Sequence, residues 1–142
     1  MRKEFYVLEP EVAGGFGEGT VIDRSSGRLI VEKLHYEFEG WLGDHLLEST
    51  PCYIASEKLV SEIKREQMLG VEFDDVEVTT SGQFSELYPN KQLPKFVWLK
   101  VTGVPGQDDF GIAPDLRLII SKRALDLLKQ IGISHAASIS PF

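Results

Sequence analysis

The chain has 142 residues, 42% of them hydrophobic and 26% charged, and a formal net charge of −7 at pH 7. A domain of this length buries roughly 70% of its unfolded surface, so one core can stabilise it without staples, and the composition excludes a disordered chain. The acidity argues against nucleic acid as a direct partner, because such binding rests on lysine and arginine neutralising phosphates; it permits a basic protein partner.

Cys52 is the only cysteine, which rules out an intrachain disulfide and a cysteine zinc cage. Its neighbourhood, Pro51-Cys52-Tyr53-Ile54, is apolar, so a buried and inert thiol is expected. Apolar runs fall far short of the ~20 residues that span a bilayer. Met1-Arg2-Lys3 is basic like the start of a signal peptide, but Glu4, Glu9 and Glu11 interrupt the apolar stretch such a peptide needs. The expectation is a cytoplasmic protein with no membrane partner.

Along the chain, Phe5-Tyr6-Val7-Leu8 reads as a first strand closed by Pro10. Gly14-Gly15-Phe16-Gly17-Glu18-Gly19 lacks the spacing of a phosphate loop and leads into Thr20-Val21-Ile22-Asp23, a strand and not a helix, so a flexible loop is expected. Ser25-Ser26-Gly27 separates that strand from Leu29-Ile30-Val31 and predicts a hairpin. Leu34, Tyr36 and Phe38 alternate with His35 and Glu37, which predicts a strand with His35 on the wet face. Residues 41–47 read as a turn of helix or a loop that packs Trp41.

An apolar strand ending at Ser56 then opens a helix predicted over residues 56–68, with Leu59, Val60, Ile63 and Gln67 on one face and Gly70 as its C-terminal cap. Residues 71–78 predict one strand, bulged at Asp74-Asp75 because the apolar parity shifts there. Residues 80–95 are the least regular stretch, and a loop of that length inside a compact domain is often functional. Phe96-Val97-Trp98-Leu99-Lys100-Val101 predicts a strand buried on both faces, and residues 103–114 a loop around Asp108-Asp109-Phe110. The strand-serine-helix module then recurs: strand 117–120, helix 121–130 opened by Ser121, Gly132 as terminator, and a last strand at Ala137-Ser138-Ile139. The predicted fold is α+β: a single domain over residues 1–142, mainly antiparallel sheet, with two amphipathic helices in a repeated strand-helix-strand module. Ser56 and Ser121 suit helix N-caps, since the hydroxyl accepts from an amide of the first turn.

Candidate chemistry is sparse. His35, His45 and His135 have no metal-binding spacing, and surface roles are expected for His35 and His135. Neither module serine lies in a G-x-S-x-G elbow. Asp74-Asp75 and Asp108-Asp109 could in principle serve a paired-carboxylate site, but neither fits an EF-hand, and adjacent acids on a strand point to opposite faces. No metal and no cofactor is expected. Trp41, Phe84, Tyr88 and Phe110 sit in irregular segments, either as lids on the core or as exposed anchors.

Asp108-Asp109-Phe110 followed by Leu116-Arg117-Leu118-Ile119-Ile120-Ser121-Lys122-Arg123-Ala124-Leu125-Asp126-Leu127-Leu128 resembles the C-terminal half of bacterial polymorphic-toxin immunity proteins, the Imm11 family and the related double-CXXCG group. Tyr53-Ile54-Ala55-Ser56-Glu57-Lys58-Leu59-Val60 with Gly70-Val71-Glu72-Phe73 resembles their paired module. With one cysteine, the chain lacks the double C-x-x-C-G signature and any metal knuckle that goes with it. The resemblance implies a cytoplasmic, non-enzymatic protein that binds and neutralises a cognate toxin, and it carries over no catalytic residue; the chain's acidity permits that toxin to be basic. The binding face expected on that reading comprises Trp41, Asp44 and His45, then Phe84, Glu86 and Tyr88, then Asp108, Asp109 and Phe110. The competing expectation is a small carboxylate-dependent hydrolase or ligand-binding enzyme, which requires Asp74-Asp75 or Asp108-Asp109 to converge in a pocket.

Overall fold

A computed structural model describes residues 4–142, so the basic start Met1-Arg2-Lys3 lies outside the described residues. In chain order the elements begin with β1 (Phe5–Glu9), β2 (Gly14–Phe16), β3 (Val21–Asp23), β4 (Ile30–Lys33), β5 (His35–Phe38) and β6 (Leu46–Ser49). Next come β7 (Cys52–Ser56), α1 (Glu57–Arg65), β8 (Val71–Asp74), β9 (Glu77–Thr80), α2 (Gly82–Leu87) and β10 (Phe96–Val101). The chain closes with β11 (Phe110–Ile112), β12 (Leu118–Ser121), α3 (Lys122–Ile131) and β13 (Ser138–Pro141). This is the α+β class the sequence implies.

Three sheets run β11-β12-β1-β13, β6-β7-β10-β8 and β2-β5-β9, and β3 with β4 forms a separate hairpin. All paired strands are antiparallel except β5 with β9. The β7–β10 sheet divides two cores. Tyr53, Ala55 and Leu99 point to one side, where they meet Leu8, Leu118 and Ile120 of the first sheet together with the apolar faces of α1 and α3. Cys52, Ile54, Phe96 and Trp98 point to the other, against Tyr36, Phe38 and Phe84. Every residue of β7 is buried, as expected of a strand covered on both faces. Cys52 lies within the second core, and burial pushes its thiol up to about 11.

Each helix opens in the same way. A strand delivers a serine in extended backbone, and its hydroxyl accepts from the amide three residues on: Ser56 from Leu59 at 3.3 Å, Ser81 from Phe84 at 3.0 Å, Ser121 from Ala124 at 3.2 Å. The module therefore occurs three times, not twice. The third copy, Thr79-Thr80-Ser81 into α2, lies in the stretch expected to be irregular, because six residues with one buried side chain, Phe84, leave no helical periodicity to read.

Three further expectations are corrected. Helix α1 ends at Arg65 and not near Met68: Gln67 takes a left-handed φ of 52°, and Met68 N–H reaches back to Ile63 O at 3.1 Å, a Schellman closure that leaves Gln67 off the apolar face. Gly70, freed from capping, crosses Gly103 instead; a Cβ on either would collide with the Phe110 carbonyl. Residues 71–78 are two strands, β8 paired to β10 and β9 paired to β5, so the parity shift at Asp74-Asp75 marks a crossing between sheets. His35 is buried, not wet. Its Nδ1 accepts from Gly19 N–H at 3.0 Å, so Nε2 carries the proton toward Thr79 Oγ1 at 2.6 Å, and Gly17 and Gly19 press on the ring where a Cβ would clash. The glycine-rich segment is thus part strand, in β2, and part clamp.

Removing the cap hydroxyls should expose these differences in urea denaturation. Ser81→Ala should cost about 1 kcal/mol, and Ser56→Ala about 2 kcal/mol, since its buried hydroxyl also bonds His45 Nδ1 at 2.7 Å. Ser121→Ala should cost about 2 kcal/mol, since its hydroxyl also donates to Asp109 at 2.7 Å. Equal losses at Ser81 and Ser121 would contradict the second role.

Candidate functional site

A concavity with aromatic walls lies where the segment after β5 turns back toward β6. Buried Glu11 organises that turn: its two oxygens accept from Leu42 N–H at 2.7 Å and Asp44 N–H at 3.1 Å. Trp41 Nε1–H donates to Asp44 O at 2.8 Å, and the indole stands edge-on to Phe96 with centroids 6.1 Å apart. From the other side, buried Phe84 anchors α2 and holds Tyr88, ring to ring at 5.4 Å, at the helix end. Between them is a groove of about 280 Å³ lined by Glu11, Val12, Glu39, Trp41, Leu42 and Tyr88. Small-molecule pockets run from roughly 300 to 1,000 Å³, so this one suits a side chain better than a cofactor. Two of its apolar lining residues are largely exposed, Val12 at 64% and Leu42 at 65%.

The expected face is only partly assembled. Trp41, Glu86 and Tyr88 retain accessible surface, with the two aromatics on the groove. Phe84 and Phe110 are core residues of the second and first cluster respectively, so neither presents an anchor. Asp44 is buried, and its carboxylate accepts from the His135 backbone N–H at 2.9 Å and meets His135 Nδ1 at 3.1 Å. His45 is half-buried with Nδ1 against Ser56 Oγ at 2.7 Å; burial, with Lys58 nearby, lowers its pKa. Asp108 accepts from Val104 N–H at 2.7 Å in the loop beside the first core, away from the groove lining. Leu42 falls within the 41–45 segment expected to contribute, whereas Glu11, Val12 and Glu39 carried no local signal in the sequence.

Two carboxylate clusters have structural explanations. Glu11, Asp44 and His135 each bring a donor atom within 4.8 Å of one another, but all four carboxylate oxygens accept from N–H groups that hold residues 42–44 and 135. A cleft lined by Glu18, His35, Glu37, Glu77 and Thr79 contains a histidine whose two nitrogens are already engaged. The acids that a hydrolase was expected to use do not converge. Asp74 pairs with Lys100 at 2.8 Å and Asp109 with Arg123 at 2.8 Å, while Asp108 closes its own loop.

Asp109 is the most strongly engaged acid among the described residues. Besides Arg123 Nη2–H it accepts Arg123 Nε–H at 2.9 Å, Ser121 Oγ–H at 2.7 Å and Leu69 N–H at 2.9 Å. Burial alone would raise its pKa; the guanidinium, amide and hydroxyl donors outweigh burial and hold it at about 2.

No protein-family model, no curated protein and no solved structure matches the chain. Among the described residues no helix is long and apolar enough to cross a membrane.

Because the folded carboxyl binds its proton less readily than the unfolded one, the stabilisation from Asp109 is complete above pH ~4 and is lost as pH falls toward ~2. Asp109→Asn should therefore lower stability by about 2 kcal/mol at neutral pH and flatten the decline between those pH values. Urea midpoints across the acid range check this. An unchanged slope would mean that Asp109 is not held in its ionised form.

Proposed function

We propose that this chain is an immunity protein: a cytoplasmic, antitoxin-like binder that neutralises a cognate bacterial toxin by occlusion, needing no cofactor and performing no catalysis of its own. The observation that carries the reading is the exposed apolar surface of Val12 and Leu42 on the Trp41–Tyr88 groove. Interfaces of about 1,600 Å² derive most of their affinity from a few aromatic anchors set in such pockets. The resemblance of residues 53–73 and 108–128 to polymorphic-toxin immunity proteins supports the same reading, and the net charge of −7 favours a basic partner through faster association. The enzymatic alternative is less favoured, since Asp74 and Asp109 are ion-paired with Lys100 and Arg123 and Asp108 closes its own loop.

Co-expression with the product of an adjacent gene tests the proposal. That product should be toxic alone, bind this chain, and be rescued by it. Trp41→Ala combined with Tyr88→Ala should cut affinity at least tenfold, since each removes an interface anchor. Phe84→Ala should instead cost about 3 kcal/mol of stability by opening a cavity under α2. A harmless neighbour, or undiminished rescue by the double variant, would overturn the assignment.

A further inference from the structure

Lys91 has an unusual position for a lysine in so acidic a chain. Its ammonium lies 5.6 Å from the Trp41 ring centroid and 5.1 Å from that of Tyr88, and it donates to the Trp41 carbonyl. Among the described residues it forms no ion pair with a carboxylate. The two rings that bound the groove therefore already bridge a positive charge, held by their π faces and one carbonyl oxygen. Glu39, in the groove lining and exposed, likewise has no ion-pair partner among the described residues. Two aromatic faces, an unneutralised carboxylate and about 280 Å³ of space are what a guanidinium or ammonium group requires.

We propose that the Trp41–Tyr88 groove is a receptor for a basic side chain of a protein partner, arginine above lysine, and that Lys91, which bridges the same two rings without lining the groove, competes with the incoming cation for their π systems. Arginine is favoured because its planar guanidinium can stack on the indole while its N–H fork meets the Glu39 carboxylate; a compact ammonium can do only one of these well. Lys91 would compete weakly, since an exposed cation–π contact is a modest interaction and its flexible stem gains freedom on release. The inference refines the immunity reading by naming the partner chemistry, and it rests on that reading for the partner being a protein.

The test uses the full chain and needs no toxin. Nα-acetyl-arginine amide and the uncharged Nα-acetyl-norleucine amide are titrated while the Trp41 indole N–H resonance is followed. Arginine amide should shift it and the norleucine compound should not. Lys91→Met, and Lys91→Gln as a second variant with a different stem, should tighten arginine binding about threefold by removing the competitor. Glu39→Gln should weaken it by a similar factor, and Tyr88→Leu should abolish it. Equal shifts from both compounds would overturn the proposal, as would an affinity unmoved by both Lys91 variants. Arginine binding in a chain that captures no toxin would sink the immunity reading alone. A captured toxin indifferent to Glu39→Gln and Lys91→Met would sink this inference alone.

Discussion

One buried carboxylate ties the architecture together. Asp109 gathers the amide of Leu69 just past α1, the cap hydroxyl of α3 and the guanidinium of Arg123, and Arg123 reaches on to the carbonyls of Glu66 and Gln67 at the α1 terminus. A helix end leaves carbonyls without intrahelical partners and a helix start leaves amides without them. Here Arg123 donates to the carbonyls just past α1 and Ser121 caps the start of α3, and one acid holds both side chains, so the two modules are joined at their polar termini as well as across the core. Truncating that acid would strand several donors at once, which costs more than the loss of one exposed ion pair.

The apolar counterpart of this joint is the β7–β10 pair. Side chains alternate along a strand, so each residue belongs to one core or the other, and a slip of one position would send Tyr53 and Leu99 into the aromatic cluster and Ile54 and Trp98 out of it. The serine caps fit the same requirement. Each strand must stop at a set position for its helix to lie back over the correct core, and a side chain that hydrogen-bonds its own first turn sets that stop locally.

Legibility in the sequence followed the strength of the periodic signal. The strands at 5–9, 52–56, 96–101 and 118–121 and the helices α1 and α3 could be read, because each combines an apolar period with a chemical boundary, serine at the start or glycine near the end. Helix α2 could not, being too short to show a period. The division of residues 71–78 between two sheets left only a parity shift, which a bulge explains equally well, and sheet partnership is a long-range fact that no local pattern encodes. His35 misled for a related reason: alternation placed it outside, whereas a backbone stretch of glycines sixteen to eighteen residues earlier covers it. At the candidate site Trp41 and Tyr88 were legible as aromatics in irregular segments. Phe84 and Phe110 carried the same signal and proved to be core, since an aromatic in a loop is ambiguous until its neighbours are known.

What separates Trp41 and Tyr88 from those buried aromatics is the way their segments are held. The 40–44 turn is pinned by Glu11 and Asp44 through hydrogen bonds to backbone N–H groups and by Trp41 packed edge-on to Phe96, while Leu42 is left facing water. Burying a leucine or valine side chain contributes roughly 1.5–3 kcal/mol relative to leaving it exposed. Leaving Val12 and Leu42 outside therefore forgoes several kcal/mol, while two carboxylates are placed in the interior to order the same surface. Side-chain and loop ordering normally opposes association, so a turn already ordered in the free protein can convert more of that unburied area into affinity. A rigid loop with an apolar rim makes little sense as a stabilising element. On the proposed reading, its cost in the isolated chain is recovered when a partner covers the surface.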